Sequence, residues 1–372
     1  MKCYRFPTAS RSAPEEQLLQ AVTRGHPGQA QRLLAAGADP NTVINQPPEG
    51  AGDQIPFQWA AVHAACSLDN ERMLQLLIQH GADLDLRVQW GITPLVVACC
   101  YATPGLAIVK LLLQSGCNVN TEDDYKQSVL PIAICRGNAE LAHTLLLAGC
   151  RLNTYSWANT WRMQGKRERD SRTEQLHLDG SYSMLTLALH YAWVNIATLL
   201  LVHGFNPNKY RLGDLLAALK ASLGQVSTSE GCHVFLRCFF QAGYTRHPGE
   251  EATFSDAVTK YHVDETCAQI INEHPLVLPS LKQLCRVCIR MYLRRMSHGC
   301  SIWLRIQSLP LPTLLVEYLA LKEFLPNTCT DMESDAYMAG PINVNVGQQR
   351  KARLKKPHVY VQFWKESCCC FK

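Results

Sequence analysis

Apolar residues run along this chain in short bursts, and five of the bursts end the same way. "LLAAGADPN" closes at Asn41, "LIQHGADLD" at Asp85, "LLQSGCNVN" at Asn120, "LLAGCRLN" at Asn153 and "LLVHGFNPN" at Asn208. In each, leucine at helical spacing gives way to a glycine, which accepts the left-handed backbone that stops a helix. An Asn or Asp then turns the chain. The glycines Gly37, Gly81, Gly116, Gly149 and Gly204 stand 44, 35, 33 and 55 residues apart. Two intervals fit a repeat of about 33 residues, and the other two carry insertions. A second helix, rich in small residues, ends fifteen residues before Gly37, Gly81, Gly149 and Gly204, at Val22, Cys66, Ile134 and Leu189. The pattern predicts pairs of short antiparallel helices whose apolar sides only the next pair can cover.

The third unit opens "TPLVVAC", where Thr93 can cap a helix and Pro94 can sit in its first turn, where a missing N–H costs nothing. This resembles the Thr-Pro-Leu-His-x-Ala signature of the ankyrin repeat. Ala60 to Ala65 keeps the histidine as His63, and Ser128 and Ser183 replace the threonine. A weaker sixth unit runs from Asp214 to Gly243, and Thr253 to His274 reads as a seventh unit or a docking helix pair. The resemblance implies an all-α solenoid of about six to seven units, with packing as the role of most repeat residues. Insertions in such stacks map to the exposed face and often bind. The insertion at 42–57 is Pro/Gly-rich and polar. That at 155–182 opens with Trp157, Trp161 and Arg162, the residue types favoured at binding hot spots, which makes these three candidates for holding a partner.

The pattern changes after Pro279. Ser280 is a helix cap and Gln283 completes a capping box. Leu281, Leu284, Cys285, Cys288, Ile289 and Tyr292 then fall on one face of the helix, with Lys282, Arg286, Arg290 and Arg294 on the other. Pro310 and Pro312 hold the next segment extended. A helix resumes at Thr313 with Leu314, Leu315, Tyr318 and Leu319 apolar. Helices this short cannot bury such faces alone.

Ser280-Leu281-x-x-x-Cys285-x-x-x-Ile289 resembles the elongin-binding BC box, and Leu309-Pro310-Leu311-Pro312 followed by Tyr318-Leu319 resembles the cullin-5 box. In this order, behind ankyrin repeats, they resemble the ankyrin repeat and SOCS box protein family over roughly residues 14 to 321. The family implies a substrate-recognition adaptor of a cullin-5 RING E3 ubiquitin ligase that promotes ubiquitination and proteasomal degradation of a target protein. By that resemblance Ser280, Leu281, Leu284, Cys285 and Ile289 would meet elongin C, which brings elongin B. Leu309, Pro310, Leu311, Pro312, Tyr318 and Leu319 would meet cullin-5 with its RING-box subunit. The implied segments are 1–13, an N-terminal stretch; 14–247, repeats; 248–278, a last helix pair or linker; and 279–321, the SOCS box (BC box 280–289, cullin-5 box 309–319). Residues 322–372 form a basic, cysteine-ended tail expected to be flexible. An ankyrin scaffold that recruits no ligase is the alternative. It expects the last helices to cap the stack with a polar outer face, and the apolar stripes argue against it.

Composition narrows the chemistry. Of 372 residues 47% are hydrophobic and 18% charged, and the formal charge of +5 implies no general attraction to nucleic acid. Seventeen scattered cysteines, an odd number, with no Asn-x-Ser/Thr site and no apolar leader, point to reduced thiols in the cytoplasm or nucleus. Tyr182 to Phe205 is long and apolar enough to cross a bilayer, but His190 and Asn195 interrupt it and its pattern matches the other helix pairs, so no transmembrane segment is expected. Cys285-x-x-Cys288 with His298 and Cys300 can be read as a zinc site, but both first cysteines lie on the apolar stripe of one helix. No HExxH, GxSxG or dinucleotide fingerprint occurs. Gly165-Lys166 lacks the glycine a phosphate loop needs at Thr160. The expectation is a non-catalytic protein without metal or cofactor. In the tail, Arg350, Lys351, Arg353, Lys355 and Lys356 suit an acidic surface, and Cys368, Cys369 and Cys370 suit lipidation; a solvated tail is the plainer reading.

Overall fold

The computed structural model describes residues 13–46, 57–102, 106–124, 126–152, 155–157, 181–223, 229–245, 265–276 and 280–326. The predicted tail residues from Arg350 to Cys370, and Trp161 and Arg162, lie outside them. The chain divides into two compact units, Met1–Tyr125 and Lys126–Lys372.

The first unit is three helix pairs: α1 (Pro14–Thr23) with α2 (Pro27–Ala35), α3 (Ala61–Ser67) with α4 (Glu71–Gln79), and α5 (Pro94–Cys100) with α6 (Ala107–Gln114). Local sequence starts them. Proline fills the first turn of α1, α2 and α5, the Thr93 side chain accepts the Val96 N–H of α5, and Asn70 accepts the Met73 N–H of α4. Glycine stops them. Gly37 N–H donates to Leu34 O and Ala38 N–H to Leu33 O, and the same double bond recurs at Gly81 and Gly116, all three glycines at positive φ. The small-residue helices are wholly inside: every residue of α5 and residues 61–66 of α3 are buried.

The second unit continues the scheme with α7 (Leu130–Cys135) and α8 (Ala139–Leu147), α9 (Met184–His190) and α10 (Val194–Val202), and α11 (Leu212–Leu223) and α12 (Ser229–Gln241). Ser183, where the repeat signature has threonine, caps α9 by accepting the Thr186 N–H. The stretch Tyr182 to Phe205 breaks at Ala192, which has φ 63°, into helices of 7 and 9 residues. No helix among the described residues is long and apolar enough to cross a membrane. After α12 come α13 (Glu265–Leu276), the one described helix of the expected seventh pair, and α14 (Leu281–Met296), α15 (Trp303–Gln307) and α16 (Thr313–Ala320).

The all-α expectation holds with two small additions. Ile44–Gln46 (β1) pairs antiparallel with Phe57–Trp59 (β2), and Tyr155–Trp157 (β3) with Ser181–Ser183 (β4). Both insertions therefore leave the helix pairs through a short hairpin stem. The Asn and Asp residues read as turn formers do a second job across repeats. Asn41 donates to Gly81 O and accepts from Asp83 N–H, Asp85 accepts from Asn118 N–H, and Asn208 donates to Gly243 O and accepts from Thr245 N–H. Each stitches one glycine turn to the next.

His63, the signature histidine, is fully buried and donates from Nε2 to Ile92 O at 3.3 Å. Burial pulls its pKa from 6.5 to about 4. The folded chain thus refuses a proton that the unfolded chain takes up below pH 6.5, so the histidine's contribution is complete above 6.5 and lost as pH falls toward 4. That loss is about 1.4 kcal/mol per pH unit and roughly 3 kcal/mol in all. Urea unfolding from pH 7 to 4 should show this steepness in the wild type and a slope shallower by that amount in His63→Asn. Equal slopes would refute it.

Candidate functional site

The helix α14 begins as its sequence dictates. Ser280 accepts the Gln283 N–H at 3.2 Å, and Gln283 Oε1 accepts the Ser280 N–H at 2.8 Å, closing the capping box. Beyond this cap, burial along the helix inverts the usual amphipathic arrangement. Leu281 is 77% exposed, Tyr292 62% and Leu284 47%, and Cys285 and Cys288 are exposed too. Arg286 and Arg290 are 2% and 0% exposed. Two arginines of the face opposite the stripe are thus buried, while Lys282 on that face stays exposed.

The reason lies in the ends of the repeats. A helix leaves its last carbonyls without intrahelical partners and carries partial negative charge there. The arginine face of α14 lies across two such ends. Arg290 Nη2 donates to Leu201 O and Val202 O at 2.7 and 3.0 Å, and Arg294 Nε donates to Gly204 O at 3.0 Å, all at the end of α10. Arg294 Nη2 donates to Ala242 O at 2.7 Å and Arg286 Nη2 to Gln241 Oε1, at the end of α12. Burial pushes the pKa of Arg290 down to about 9 and that of Arg294 to about 10, so both stay protonated at neutral pH. Charge-assisted bonds contribute about 1.5–3 kcal/mol each, but desolvating the cations costs several kcal/mol apiece. The two nearly offset, and orientation is what the arrangement fixes.

Two of the helix-ending glycines also make room for this docking. A Cβ on Gly204 would stand 2.8 Å from Ile302 Cγ1, and one on Gly243 would stand 3.0 Å from Val287 Cγ1. Backbone joins the same faces: Ile302 N–H donates to His203 O and Leu152 N–H to Gly299 O. Behind them sits a buried polar cluster. His203 bonds Ser301 Oγ through Nδ1 at 2.7 Å and His143 Nδ1 through Nε2 at 2.9 Å, and the Trp303 ring lies 5.5 Å from that of His203. Burial, then His143 and the Arg290 charge, hold the His203 pKa well below its ordinary value, so the ring is neutral.

Beside the exposed stripe stands the second predicted segment. Leu311 N–H bonds Leu309 O, Pro312 is extended, and α16 starts at Thr313. Pro310, Pro312 and Leu311 are exposed, Leu314 is 80% exposed and Leu315 42%, while Leu309 is half-buried. Tyr318 is half-buried, covered by Lys282 Nζ and Arg286 Cζ, each 4.1 Å from its ring centroid. Leu319 is buried against the protein's own body. Of the elongin-type residues, Ser280, Leu281, Leu284 and Cys285 are exposed and Ile289 is half-buried. Trp157 lies in the stem of the second insertion, opposite Ser181.

No group of three or more His, Cys, Asp or Glu able to hold a metal occurs among the described residues. Cys285 and Cys288 face outward on α14. Elsewhere burial pushes the thiols of Cys117, Cys150 and Cys238 up to about 12, which makes them packing groups rather than nucleophiles. The arginine face and the His143–His203–Ser301–Trp303 cluster escaped the sequence reading. The regular four-residue spacing of Arg286, Arg290 and Arg294 directly after a run of glycine-ended helices was the available signal.

Comparison with known families agrees with this layout. Residues 18–123 match the family model for ankyrin repeats in three copies, and residues 278–320 match that for the SOCS box. The chain matches the ankyrin repeat and SOCS box protein family. Among curated proteins it resembles neurogenic locus notch homolog protein 1 of Homo sapiens, 36% identical over 121 residues, or 32% of this chain. It resembles neurogenic locus notch homolog protein 2 of Homo sapiens to the same extent, and the Xenopus tropicalis notch homolog protein 1 at 35% over 118 residues. The chain spans 4% of the length of each of these relatives. Ankyrin repeats joined to a SOCS box are a substrate-adaptor architecture, built from domains of adaptor or scaffold type. In these terms α14, α15 and α16 are the SOCS box helices, and the repeats ending at Gly204 and Gly243 are its seat.

Proposed function

We propose that this chain is the substrate-recognition adaptor of a cullin-5 RING E3 ubiquitin ligase, acting in the cytoplasm or nucleus. Its repeats hold a target protein, the stripe from Leu281 docks on elongin C with elongin B, and the Leu309–Pro312 segment selects cullin-5 with its RING-box subunit. The target is then ubiquitinated and degraded. The chain supplies proximity and orientation, while the chemistry belongs to the recruited subunits. One observation carries this reading. Leu281, Leu284 and Tyr292 on α14, Leu311 just before α16, and Leu314 and Leu315 on α16 expose apolar surface, while the opposite side of α14 is already spent on the repeats and Leu319 of α16 is buried. A helix that merely capped the stack would turn these leucines inward.

Target binding is assigned to the insertion 155–182, through Trp157, Trp161 and Arg162. The cullin assignment is tested by Leu309→Ala, Pro310→Ala, Pro312→Ala in one chain. Loss of prolines that keep the segment extended, together with a leucine, should weaken cullin-5 by about ten-fold or more. Elongin capture should stay at the wild-type level. Undiminished cullin-5 binding would place its site elsewhere.

A further inference from the structure

Among Arg286, Arg290 and Arg294, Arg290 is the one that hydrogen-bonds both α16 and the end of α10. It has no exposed surface. Nη1 donates to Leu319 O at 2.8 Å, in the last turn of α16, while Nη2 donates to Leu201 O and Val202 O at the end of α10. The side chain itself springs from α14. One guanidinium thus ties together the helix bearing the exposed stripe, the helix after the Leu-Pro-Leu-Pro segment, and a repeat. One turn to either side, Arg286 bonds Gln241 of α12 and lies over the Tyr318 ring of α16, Arg294 bonds Gly204 O and Ala242 O, and Val287 rests on Gly243. Without Arg290, α14 keeps those attachments and α16 loses one of its own.

We infer that Arg290 is a positioning residue that fixes the angle between the two docking surfaces and holds both to the repeat ending at Gly204. The inference rests on the ligase reading above and adds to it the part of the chain that sets the direction of the recruited machinery. Only a planar, forked cation can serve two helix ends at once. A lysine ammonium is a single point charge on a flexible stem and reaches one end at a time.

The full chain is to be compared as wild type, Arg290→Met and Arg290→Lys, free and with elongin B, elongin C and cullin-5. In the free chain, backbone amides of 313–321 should exchange about ten-fold faster in Arg290→Met, with α7 and α8 still protected. Elongin affinity should stay within about two-fold of wild type, while cullin-5 affinity of the assembled complex falls about ten-fold or more. Arg290→Lys should recover part of the protection and part of the cullin-5 affinity. Wild-type exchange in 313–321 for Arg290→Met overturns the inference. So do elongin and cullin-5 affinities that fall by the same factor with a general loss of protection, which marks a residue needed only for folding. If Arg290→Met does not fold, wild-type exchange and binding in Arg290→Lys overturn it equally. If the wild-type chain captures no elongin, the ligase reading falls, and the exchange of 313–321 still decides whether Arg290 holds α16.

Discussion

Leu281→Asp should abolish capture of elongin B and elongin C while leaving the melting curve of the free chain where it was. Leu281 is 77% exposed, directly after the Ser280 cap, and its side chain has no role in the buried core. In a complex it would enter an apolar pocket, and burying one leucine contributes about 1.5–3 kcal/mol. A carboxylate in the same place forfeits that and adds the cost of a buried unpaired charge. Together these predict a loss of at least about 100-fold in affinity. Calorimetric or surface-based titration with the purified elongin pair, set beside a thermal melt, reads both quantities. Full affinity in the variant would mean that the exposed stripe of α14 is not the docking face.

Trp303→Ala carries the largest expected effect on stability. The indole is 4% exposed and lies against His203 and His143, where the SOCS box meets the repeats. Truncating a buried aromatic to alanine costs about 3–5 kcal/mol through lost burial and the cavity left behind. For a unit of this size the melting temperature should fall by on the order of 10 °C. Leu281→Asp and Trp303→Ala thus separate the two sides of the SOCS box, one outward and worth affinity, the other inward and worth stability. A melt of Trp303→Ala within about 1 °C of wild type would contradict the seat described for the box.

The repeats were legible because their signals are local. A glycine at positive φ after a leucine helix, with a small-residue helix fifteen residues earlier, needs no tertiary knowledge, and Gly37, Gly81, Gly116, Gly149 and Gly204 all close helices in the structure. The capped start of α14 was legible for the same reason. The inward turn of its arginines was not. In the sequence Arg286, Arg290 and Arg294 read only as the face opposite the apolar stripe. Arg286 and Arg290 are buried and Arg294 half-buried because the ends of α10 and α12 bring acceptor oxygens to them, which is a fact of tertiary structure. Leu319 shows the same limit, since it belongs to an apolar helix face by spacing yet packs inward. The hairpin stems at Ile44–Gln46 and Tyr155–Trp157 are three residues long, too short for alternation of apolar and polar residues to announce a strand.

The proposed role of this chain is to join a target to a cullin-5 ligase through its SOCS box. Co-purification of the full wild-type chain with elongin B, elongin C and cullin-5 tests it most directly. A stable complex of all four is expected, with cullin-5 retained only when both elongins are present. A chain that is soluble and stable alone and retains neither elongin nor cullin-5 would contradict it.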